Sequence, residues 1–320
     1  MKLLEVIDLK AWFDISAGRI KAVDGISFTL DYGEALGLVG ESGCGKTTSA
    51  LSIVQLLPEE GRIHGGQILL EGKDLAAMNE KEINKHRWND VSIVFQGAMN
   101  SLNPVMKVGN QIAEAIILHK KKTKREALQR AGELLELVEI PAARIDNYPH
   151  EFSGGMKQRV MIAMALACGP KVVIGDEPTT ALDVMVQAQI LTLLERLRKE
   201  LNMGLILITH DLSILGETCD KIAVMYGGKI VEMGSVSDIF RKTSHPYTKA
   251  LIACFPDISG KKTLSEVIKG EPPNMLDLPS GCLFHPRCGI AESLCREIPP
   301  ERRELSTGHF VSCHKPEVHL

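Results

Sequence analysis

A glycine-rich segment near the start of the chain has the residue types and spacing of a phosphate-binding loop. Residues 40–47 read Gly-Glu-Ser-Gly-Cys-Gly-Lys-Thr, which fits the pattern G-x-x-x-x-G-K-[ST]. Glycines let backbone N–H groups wrap around phosphate oxygens, the lysine reaches the β- and γ-phosphates, and the hydroxyl completes the shell of a Mg²⁺ ion. The residues predicted to contact a nucleotide are Gly40, Ser42, Gly43, Cys44, Gly45, Lys46, Thr47 and Thr48, with Thr47 also binding Mg²⁺. Cys44 is interpreted as a small space-filling residue rather than a reactive thiol.

Acidic and polar side chains follow three other apolar runs. Asp176 and Glu177 end the run Val-Val-Ile-Gly, and Gln96 and His210 follow two more runs of the same kind. Because the carboxyl ends of parallel strands meet at one edge of a sheet, we expect these side chains to share a site. Asp176 would hold Mg²⁺ through its water shell, and Glu177 would polarise the attacking water. Gln96 would sense the metal or that water, and His210 would contact the γ-phosphate.

Short apolar runs are predicted to be the strands that position these residues. They are residues 35–39, 91–95, 171–175, 205–209 and 222–226. Continuous apolar strands separated by helical segments are typical of a largely parallel sheet that is covered on both faces. The apolar spacing over residues 123–139 predicts a helix, and Thr123 and Glu126 form a capping-box pair at its start. The sequence therefore predicts an α/β fold.

Composition excludes several classes of protein. The chain has 320 residues, 37 basic and 40 acidic side chains, and a formal net charge of −3. That balance does not favour nucleic-acid binding, which usually comes with a basic domain. No stretch approaches the roughly 18 apolar residues that span a bilayer, and the first residues lack the features of a secretory signal. We therefore expect a cytoplasmic protein that reaches a membrane only through partners.

The last 80 residues differ in composition from the rest. They hold nine of the 15 prolines and five of the eight cysteines. Proline at that density excludes long helices and leaves little room for sheet. We therefore predict one domain over residues 1–240 and a small loop-rich extension over residues 241–320.

A further motif carries a family resemblance. Residues 151–159 read Glu-Phe-Ser-Gly-Gly-Met-Lys-Gln-Arg and resemble the signature of the ATP-binding-cassette ATPases, usually written Leu-Ser-Gly-Gly-Gln. Phe152 and Met156 depart from that pattern, while the Ser-Gly-Gly core is intact. The order of the motifs along roughly the first 240 residues is also that of the family. The resemblance implies a P-loop nucleotide-binding domain with a mostly parallel core sheet, an antiparallel β region and a helical subdomain over about residues 97–168.

The resemblance also implies a head-to-tail dimer that sandwiches two ATP molecules. The signature residues Ser153, Gly154 and Gly155 would contact the γ-phosphate of the ATP bound by the partner's phosphate loop, again as donors at a helix N-terminus. Asp183, which ends the family's Ala-Leu-Asp motif, belongs to the same nucleotide-contacting set. Phe13 stands where the family stacks an aromatic ring on adenine, although core packing is the alternative for this ring and for its neighbour Trp12.

Four segments resemble the dipeptide and oligopeptide importer ATPases in particular. They are Ser-Leu-Asn-Pro at 101–104, Tyr-Pro-His-Glu at 148–151, His-Pro-Tyr-Thr-Lys-Ala-Leu at 245–251 and Cys-Leu-Phe-His-Pro-Arg-Cys at 282–288. Nickel importers share much of this pattern and are the alternative. The resemblance implies a peripheral subunit at the cytoplasmic face of the membrane. Its partners would be a second ATPase subunit, identical or paralogous, transmembrane permease subunits and, indirectly, an extracytoplasmic peptide-binding protein.

The same resemblance implies where a membrane subunit would dock. The segment from Gln96 to about Val108 would receive it, with Leu102, Pro104 and Val105 as candidate apolar contacts, and internal packing of these residues is the alternative.

The extension contains four cysteines, Cys282, Cys288, Cys295 and Cys313, with the spacing C-x5-C-x6-C-x17-C. This is neither a zinc-finger nor a bacterial ferredoxin pattern. Members of the resembled group can carry a [4Fe–4S] cluster here, which four thiolates suit. Structural zinc on the same ligands and a metal-free extension are the other interpretations.

Two other classes of function compete with transport. A soluble cassette ATPase acting in translation or DNA repair usually has tandem cassettes or large inserted arms, whereas this chain has one cassette. A module that binds ATP without hydrolysing it is disfavoured by the intact Glu177 and His210.

Overall fold

The computed structural model describes residues 2–95, 97, 101–180, 182–254 and 268–317. In chain order its strands are β1 (Lys2–Ile15), β2 (Gly18–Asp31), β3 (Ala35–Val39), β4 (Gly61–Leu70), β5 (Lys73–Asp74), β6 (Val91–Val94), β7 (Val172–Asp176), β8 (Gly204–Ile208), β9 (Lys221–Tyr226), β10 (Lys229–Ser235), β11 (Arg302–Ser306) and β12 (His309–Ser312). The helices are α1 (Lys46–Ile53), α2 (Glu80–Ile83), α3 (Val108–Lys120), α4 (Lys124–Leu137), α5 (Gly154–Ala165), α6 (Val184–Leu201), α7 (Leu212–Thr218), α8 (Val236–Arg241), α9 (Pro246–Ala253) and α10 (Ser293–Glu297). Single 3₁₀ turns cover Leu75–Ala77, Ala142–Asp146, Pro149–Glu151 and His285–Arg287.

The chain divides into two compact units. The first is built mainly from residues 77–208 with residues 30–34, and the second from residues 4–29, 35–76 and 209–320. This division does not fall at residue 240, because the segment after residue 209 groups with the N-terminal strands. The domain limits derived from composition, and the helical subdomain over residues 97–168, stay predictions.

The first unit contains the parallel strands that deliver the acidic pair. Strands β8, β7 and β6 lie side by side in that order, and Val172–Asp176 pairs with Gly204–Ile208 residue by residue. Every residue of β7 and β8 is buried, as expected for strands covered on both faces. The strands predicted from apolar runs in this unit are confirmed to within one residue.

Helices α3, α4 and α5 pack against one another in the first unit. Helix α4 begins after Thr123, whose hydroxyl accepts a hydrogen bond from the Glu126 backbone N–H. In return, the Glu126 carboxylate accepts one from the Thr123 backbone N–H, at 2.9 Å. This reciprocal capping box satisfies two N–H groups at the helix start. The helix predicted over residues 123–139 and its capping pair are confirmed.

The second unit contains two sheets. In one of them the strands lie in the order β2, β1, β4, β5, and β1 is antiparallel to β4. In the other, β3 is parallel to β9, and β9, β10, β12 and β11 follow as antiparallel neighbours. The predicted combination of parallel and antiparallel strands is confirmed. Among the described residues no helix is both long and apolar enough to cross a membrane.

The C-terminal extension contributes more sheet than its composition predicts. Strand β12 pairs with β10 through Met233↔Phe310 and Glu232↔Val311, and β11 pairs with β12. These strands lie between Pro300 and Pro316, in a stretch with no proline to interrupt a ladder. The extension therefore continues the sheet of the second unit.

Candidate functional site

The phosphate loop joins β3, which is buried throughout, to α1, which begins at Lys46. Gly45 has a φ of 103°, and a Cβ there would lie 2.1 Å from the carbonyl oxygen of Ala22. A Cβ at Gly40 would lie 2.2 Å from the carbonyl oxygen of Met225. Only glycine fits at these two positions, so the loop backbone is set closely against neighbouring strands.

The loop holds its own lysine in place. Lys46 is buried, and its Nζ donates to the carbonyl oxygens of Gly40, at 2.7 Å, and Glu41, at 3.1 Å. Cys44 Sγ lies 3.7 Å from the same nitrogen, and burial raises the pKa of this thiol. A buried thiol with a raised pKa packs rather than reacts, which agrees with its interpretation as a space-filling residue.

The remaining loop residues differ in their exposure. Ser42, Gly43 and Thr47 are exposed, and Thr48 is half-buried. The exposed residues belong to the loop and to the first turn of α1, where backbone N–H groups have no helical acceptor. This face of the loop can therefore offer donors to an anion.

His210 directly follows Thr209, which lies beside β3, the strand that leads into the phosphate loop. The Thr209 backbone N–H donates to the Leu38 carbonyl oxygen at 3.3 Å, so Thr209 lies beside the end of β3. His210 follows at once and is exposed. Asp211 then caps α7, accepting from the Ser213 backbone N–H at 2.9 Å. Within the second unit, His210 therefore directly follows the residue that contacts the end of β3.

The acidic pair ends β7 in the first unit. Asp176 is 2% exposed and pairs with Ile208 across the ladder. Glu177 has a φ of 46°, in the left-handed region, where a residue other than glycine is strained. Its backbone N–H donates to Ile208 O at 2.9 Å, and its carboxylate accepts from the Thr180 hydroxyl at 2.9 Å. Glu177 is therefore held by contacts of both its backbone and its carboxylate at the end of β7.

The signature residues form the start of α5. Ser153 is the N-cap, and its hydroxyl accepts from the Met156 backbone N–H at 3.4 Å. A Cβ at Gly155 would lie 2.6 Å from Val186 Cγ1, so the first turn of α5 packs directly against the first turn of α6. Asp183 caps α6 by accepting from the Val186 backbone N–H at 2.9 Å. Two helix N-termini therefore lie side by side, each with an oxygen-bearing cap.

Phe13 and Trp12 lie on β1 and are both half-buried. Phe13 is opposite Gly61 on β4, where the absent side chain leaves room for its ring. Trp12 stacks on His64, with ring centroids 4.5 Å apart, and the cationic groups of Arg19 and Lys21 lie just over 5 Å from its ring. Trp12 thus has a local packing role, and adenine stacking by Phe13 stays a prediction.

The four cysteines of the extension line one small cavity of about 20 Å³, which we call the cysteine cavity. All four thiols are free of disulfides. The segments that carry Cys282 and Cys295 are joined by a hydrogen bond from the Cys282 backbone N–H to the Cys295 carbonyl oxygen, at 2.8 Å. Burial raises the pKa of Cys282 and Cys288, and that of Cys313 to about 11. The four cysteines predicted as metal ligands therefore line one cavity.

The four thiols are not arranged as ligands of a single metal ion. Within the described parts of the chain, no three His, Cys, Asp or Glu side chains are grouped closely enough to hold a metal ion. The [4Fe–4S] cluster and its zinc alternative are therefore predictions that the arrangement alone does not establish.

Gln96, predicted to sense the metal or water, lies outside the described residues. The sequence does not predict Glu41 and Arg287 as site residues, yet their side chains form a bidentate ion pair that joins the phosphate loop to the extension. Glu41 occupies a position where the loop pattern accepts any residue, so spacing gave no signal for it.

Two family models match the chain. That of the ABC transporter covers residues 23–180, and that of the oligopeptide/dipeptide transporter C-terminal region covers residues 231–295.

Several peptide transport ATP-binding proteins are similar to the chain over almost its whole length. It is 47% identical to the oligopeptide transport ATP-binding protein OppD of Salmonella typhimurium, over 99% of this chain and 95% of the relative. It is also 47% identical to the dipeptide transport ATP-binding protein DppD of Haemophilus influenzae, over 99% of this chain and 96% of the relative.

Solved structures agree with the sequence comparisons. The ATP-binding cassette MJ0796, in a dimeric post-hydrolysis state bound to ADP and Pi, matches with a TM-score of 0.65 at 25% identity, over 73% of this chain and 98% of that one. The protein cbiO1 of Clostridium perfringens, part of the ABC transporter complex cbiONQ, matches with a TM-score of 0.64 at 29% identity, over 75% and 90%. The chain therefore belongs to the ABC transporter family of ATPases, within the group that carries the oligopeptide/dipeptide transporter C-terminal region.

Proposed function

We propose that this chain is the ATP-hydrolysing subunit that energises a membrane importer of dipeptides or oligopeptides. The observation that carries the proposal is the full-length likeness to OppD and DppD together with the match of residues 231–295 to the peptide-transporter C-terminal region. The chain would act at the cytoplasmic face of the membrane. Its partners would be a second ATPase subunit, permease subunits and, through them, an extracytoplasmic peptide-binding protein.

The phosphate loop would bind ATP through backbone donors and Lys46. Lys46 is buried and donates to two carbonyl oxygens of the loop, so its ammonium group lies within the loop that would cradle the phosphates. Thr47 and Asp176 would hold the Mg²⁺ that accompanies ATP. Glu177 would polarise the attacking water, and His210 would contact the γ-phosphate.

ATP hydrolysis would take place in a head-to-tail dimer. Ser153, Gly154 and Gly155 begin a helix, so their N–H groups suit the γ-phosphate of an ATP held by the partner. Beside them, Val184 and Met185 follow the Asp183 cap and are 79% and 72% exposed. Exposed apolar side chains at this helix start support a contact that the partner subunit covers.

The segment proposed to receive a membrane subunit presents fewer apolar side chains than its sequence suggests. Val105 is 79% exposed and Pro104 is exposed, while Leu102 is 4% exposed and packs internally. Val105 and Pro104 therefore remain the proposed contacts with a permease, and Leu102 has a packing role.

We further propose that the cysteine cavity holds a [4Fe–4S] cluster on Cys282, Cys288, Cys295 and Cys313. The support for this proposal is that the four cysteines line one cavity and that four thiolates suit such a cluster; structural zinc on the same thiolates is the alternative. The cluster would act as a cross-link that stabilises a small loop-rich fold.

Metal analysis of anaerobically purified protein tests the cluster. We expect about four irons and four acid-labile sulfides per chain, with broad visible absorption, and loss of both in Cys295→Ser. One zinc per chain would contradict the iron–sulfur proposal, and so would protein without metal after anaerobic handling.

Uptake by cells that lack the gene tests the transport proposal. Complementation with the wild-type chain should restore uptake of a labelled tripeptide, and the Glu177→Gln chain should not. Restored uptake of labelled Ni²⁺ without peptide uptake would instead support the nickel importer. Growth and uptake unaffected by loss of the gene would contradict transport of either.

A further inference from the structure

Glu41, the second residue of the phosphate loop, is held by a side chain of the C-terminal extension. Arg287 Nη1 donates to Glu41 Oε2 at 2.6 Å, and Nη2 donates to Oε1 at 2.9 Å. The Arg287 side chain is 5% exposed and that of Glu41 is 23% exposed. A largely buried, bidentate guanidinium–carboxylate pair has fixed geometry as well as strength. It joins two residues that are far apart in sequence.

The loop is also held through its backbone. The Glu41 backbone N–H donates to the Tyr247 hydroxyl at 3.0 Å. Tyr247 is fully buried, and its ring lies 4.6 Å from that of Tyr226 and 5.3 Å from that of Phe284, centroid to centroid. Both the side chain and the main chain of Glu41 are therefore fixed by residues that follow β8.

Arg287 is oriented independently of Glu41. Its Nε donates to the Lys269 carbonyl oxygen at 2.9 Å, and Nη1 also lies 3.3 Å from the Tyr226 hydroxyl. Its guanidinium carbon lies 5.8 Å from the centre of the Tyr226 ring. A fork that is already fixed loses little conformational freedom when it binds a carboxylate. Arg287 lies in the 3₁₀ turn that separates Cys282 from Cys288.

The pair is connected to the group that contacts phosphate. Lys46 Nζ donates to the carbonyl oxygens of Gly40 and Glu41, so a shift of Glu41 would displace an acceptor of the Lys46 ammonium group. The extension also borders the loop directly, because Pro272, Pro273 and Met275 line a cavity of about 50 Å³ with loop residues 41–44.

We propose that Arg287 is a positioning residue for ATP binding, which clamps Glu41 so that the loop backbone and Lys46 are held in the phosphate-binding arrangement. The affinity for ATP thus depends on a side chain of the cysteine-bearing extension. By linkage, bound ATP stabilises the Arg287–Glu41 contact in return. The inference rests on ATP binding, a property of the family, and does not depend on the cargo.

The test is a titration of the full-length chain with a fluorescent trinitrophenyl derivative of ATP. Arg287→Met should weaken binding about tenfold, because Glu41 loses its partner. Arg287→Lys should weaken it less, since a point charge replaces the fork. Arg303→Met, an exposed arginine on β11, is the matched control and should bind as the wild type does.

A double-mutant cycle separates the clamp from two independent effects. The Arg287→Met, Glu41→Gln protein should bind ATP no more weakly than the worse single variant, because both changes remove one interaction. Multiplied effects would overturn the proposal, and so would Arg287→Met binding within twofold of Arg303→Met.

Hydrogen exchange distinguishes positioning of the loop from a purely structural role in the extension. In Arg287→Met, amide exchange should rise in residues 40–46, and KM for ATP should rise with kcat nearly unchanged. Faster exchange confined to residues 285–313 would overturn the proposal. If Arg287→Met does not fold, Tyr247→Phe removes only the acceptor of the Glu41 N–H, and unchanged ATP affinity in that variant would count against the clamp.

Discussion

Glu232 Oε1 lies 2.9 Å from His309 Nε2, and the two side chains are 0% and 3% exposed. An ionised carboxylate only accepts hydrogen bonds, so His309 Nε2 is assigned as the donor in this contact. The same carboxylate accepts from the backbone N–H groups of Ser244, at 2.7 Å, and His245, at 3.0 Å. One buried glutamate on β10 therefore ties together the start of α9 and strand β12.

Removal of this carboxylate should destabilise the extension. Glu232→Ala leaves three buried donors without an acceptor, and we expect the free energy of unfolding to fall by about 3 kcal/mol. Glu232→Gln keeps one acceptor oxygen and should cost less. Urea denaturation measures both, and Glu301→Ala, at an exposed glutamate, is the control. Equal stability of Glu232→Ala and Glu301→Ala would show that the carboxylate does not hold the extension.

His245 should make the protein less stable in mild acid. Burial lowers its pKa to about 4, and the nearby Glu232 carboxylate and Ser312 backbone only partly oppose this shift. The unfolded chain binds the proton with a pKa of about 6.5. The contribution of neutral His245 to the free energy of unfolding is therefore fully present above about pH 6.5. It is lost as the pH drops towards 4, by about 3 kcal/mol in total.

The variant His245→Asn isolates this effect. Asn can replace the histidine as N-cap of α9, where Nδ1 accepts from the Tyr247 backbone N–H at 3.0 Å. Urea midpoints measured between pH 7.5 and 4.5 should vary less steeply for this variant than for the wild type. His150→Asn, at an exposed histidine, should keep the wild-type slope. Parallel slopes for the wild type and His245→Asn would rule out His245 as the titrating group.

Glu177→Gln should separate ATP binding from hydrolysis. The amide keeps the size of the side chain but cannot act as a base, so we expect turnover to fall at least about 100-fold. ATP binding should stay within a few-fold of the wild type. Phosphate release and nucleotide titration measure the two quantities, with the exposed Glu217→Gln as the control. Undiminished hydrolysis would remove Glu177 as the proposed base.

Two glycines of the phosphate loop provide a matched pair. Gly45→Ala places a methyl group against the Ala22 carbonyl and also strains a backbone with a φ of 103°. Gly43→Ala, at a φ of 80°, meets nothing within 4 Å and so costs only the backbone strain, about 1 kcal/mol. Thermal melting and ATP titration should show a larger loss for Gly45→Ala. Equal losses would mean that close packing does not fix the loop.

Local signals in the sequence predicted the elements that carry the chemistry. Strands such as β3 and β7 are continuous apolar runs, and Thr123 with Glu126 gives a complete capping pair within four residues. Strand burial and helix capping depend on neighbours in sequence, so composition and spacing were sufficient. The order of the motifs along the chain also indicates the family.

Contacts between distant segments could not be predicted in the same way. Strands β11 and β12 are polar or mixed in composition and exist because β12 pairs with the backbone of β10. The Arg287–Glu41 pair depends on how the extension folds back on the phosphate loop, for which no spacing rule exists. For the cysteines, the family resemblance implied one shared metal site, whereas their spacing gave no indication of how they are arranged around the cavity.

The peptide-importer assignment is tested by measuring ATP hydrolysis by the transporter assembled with its permease and peptide-binding partners in proteoliposomes. We predict that adding peptide with the binding protein raises the hydrolysis rate and drives peptide accumulation, and that Glu177→Gln abolishes both. Hydrolysis that is insensitive to peptide, with no peptide accumulated, would contradict the assignment of this chain as the ATPase of a peptide importer.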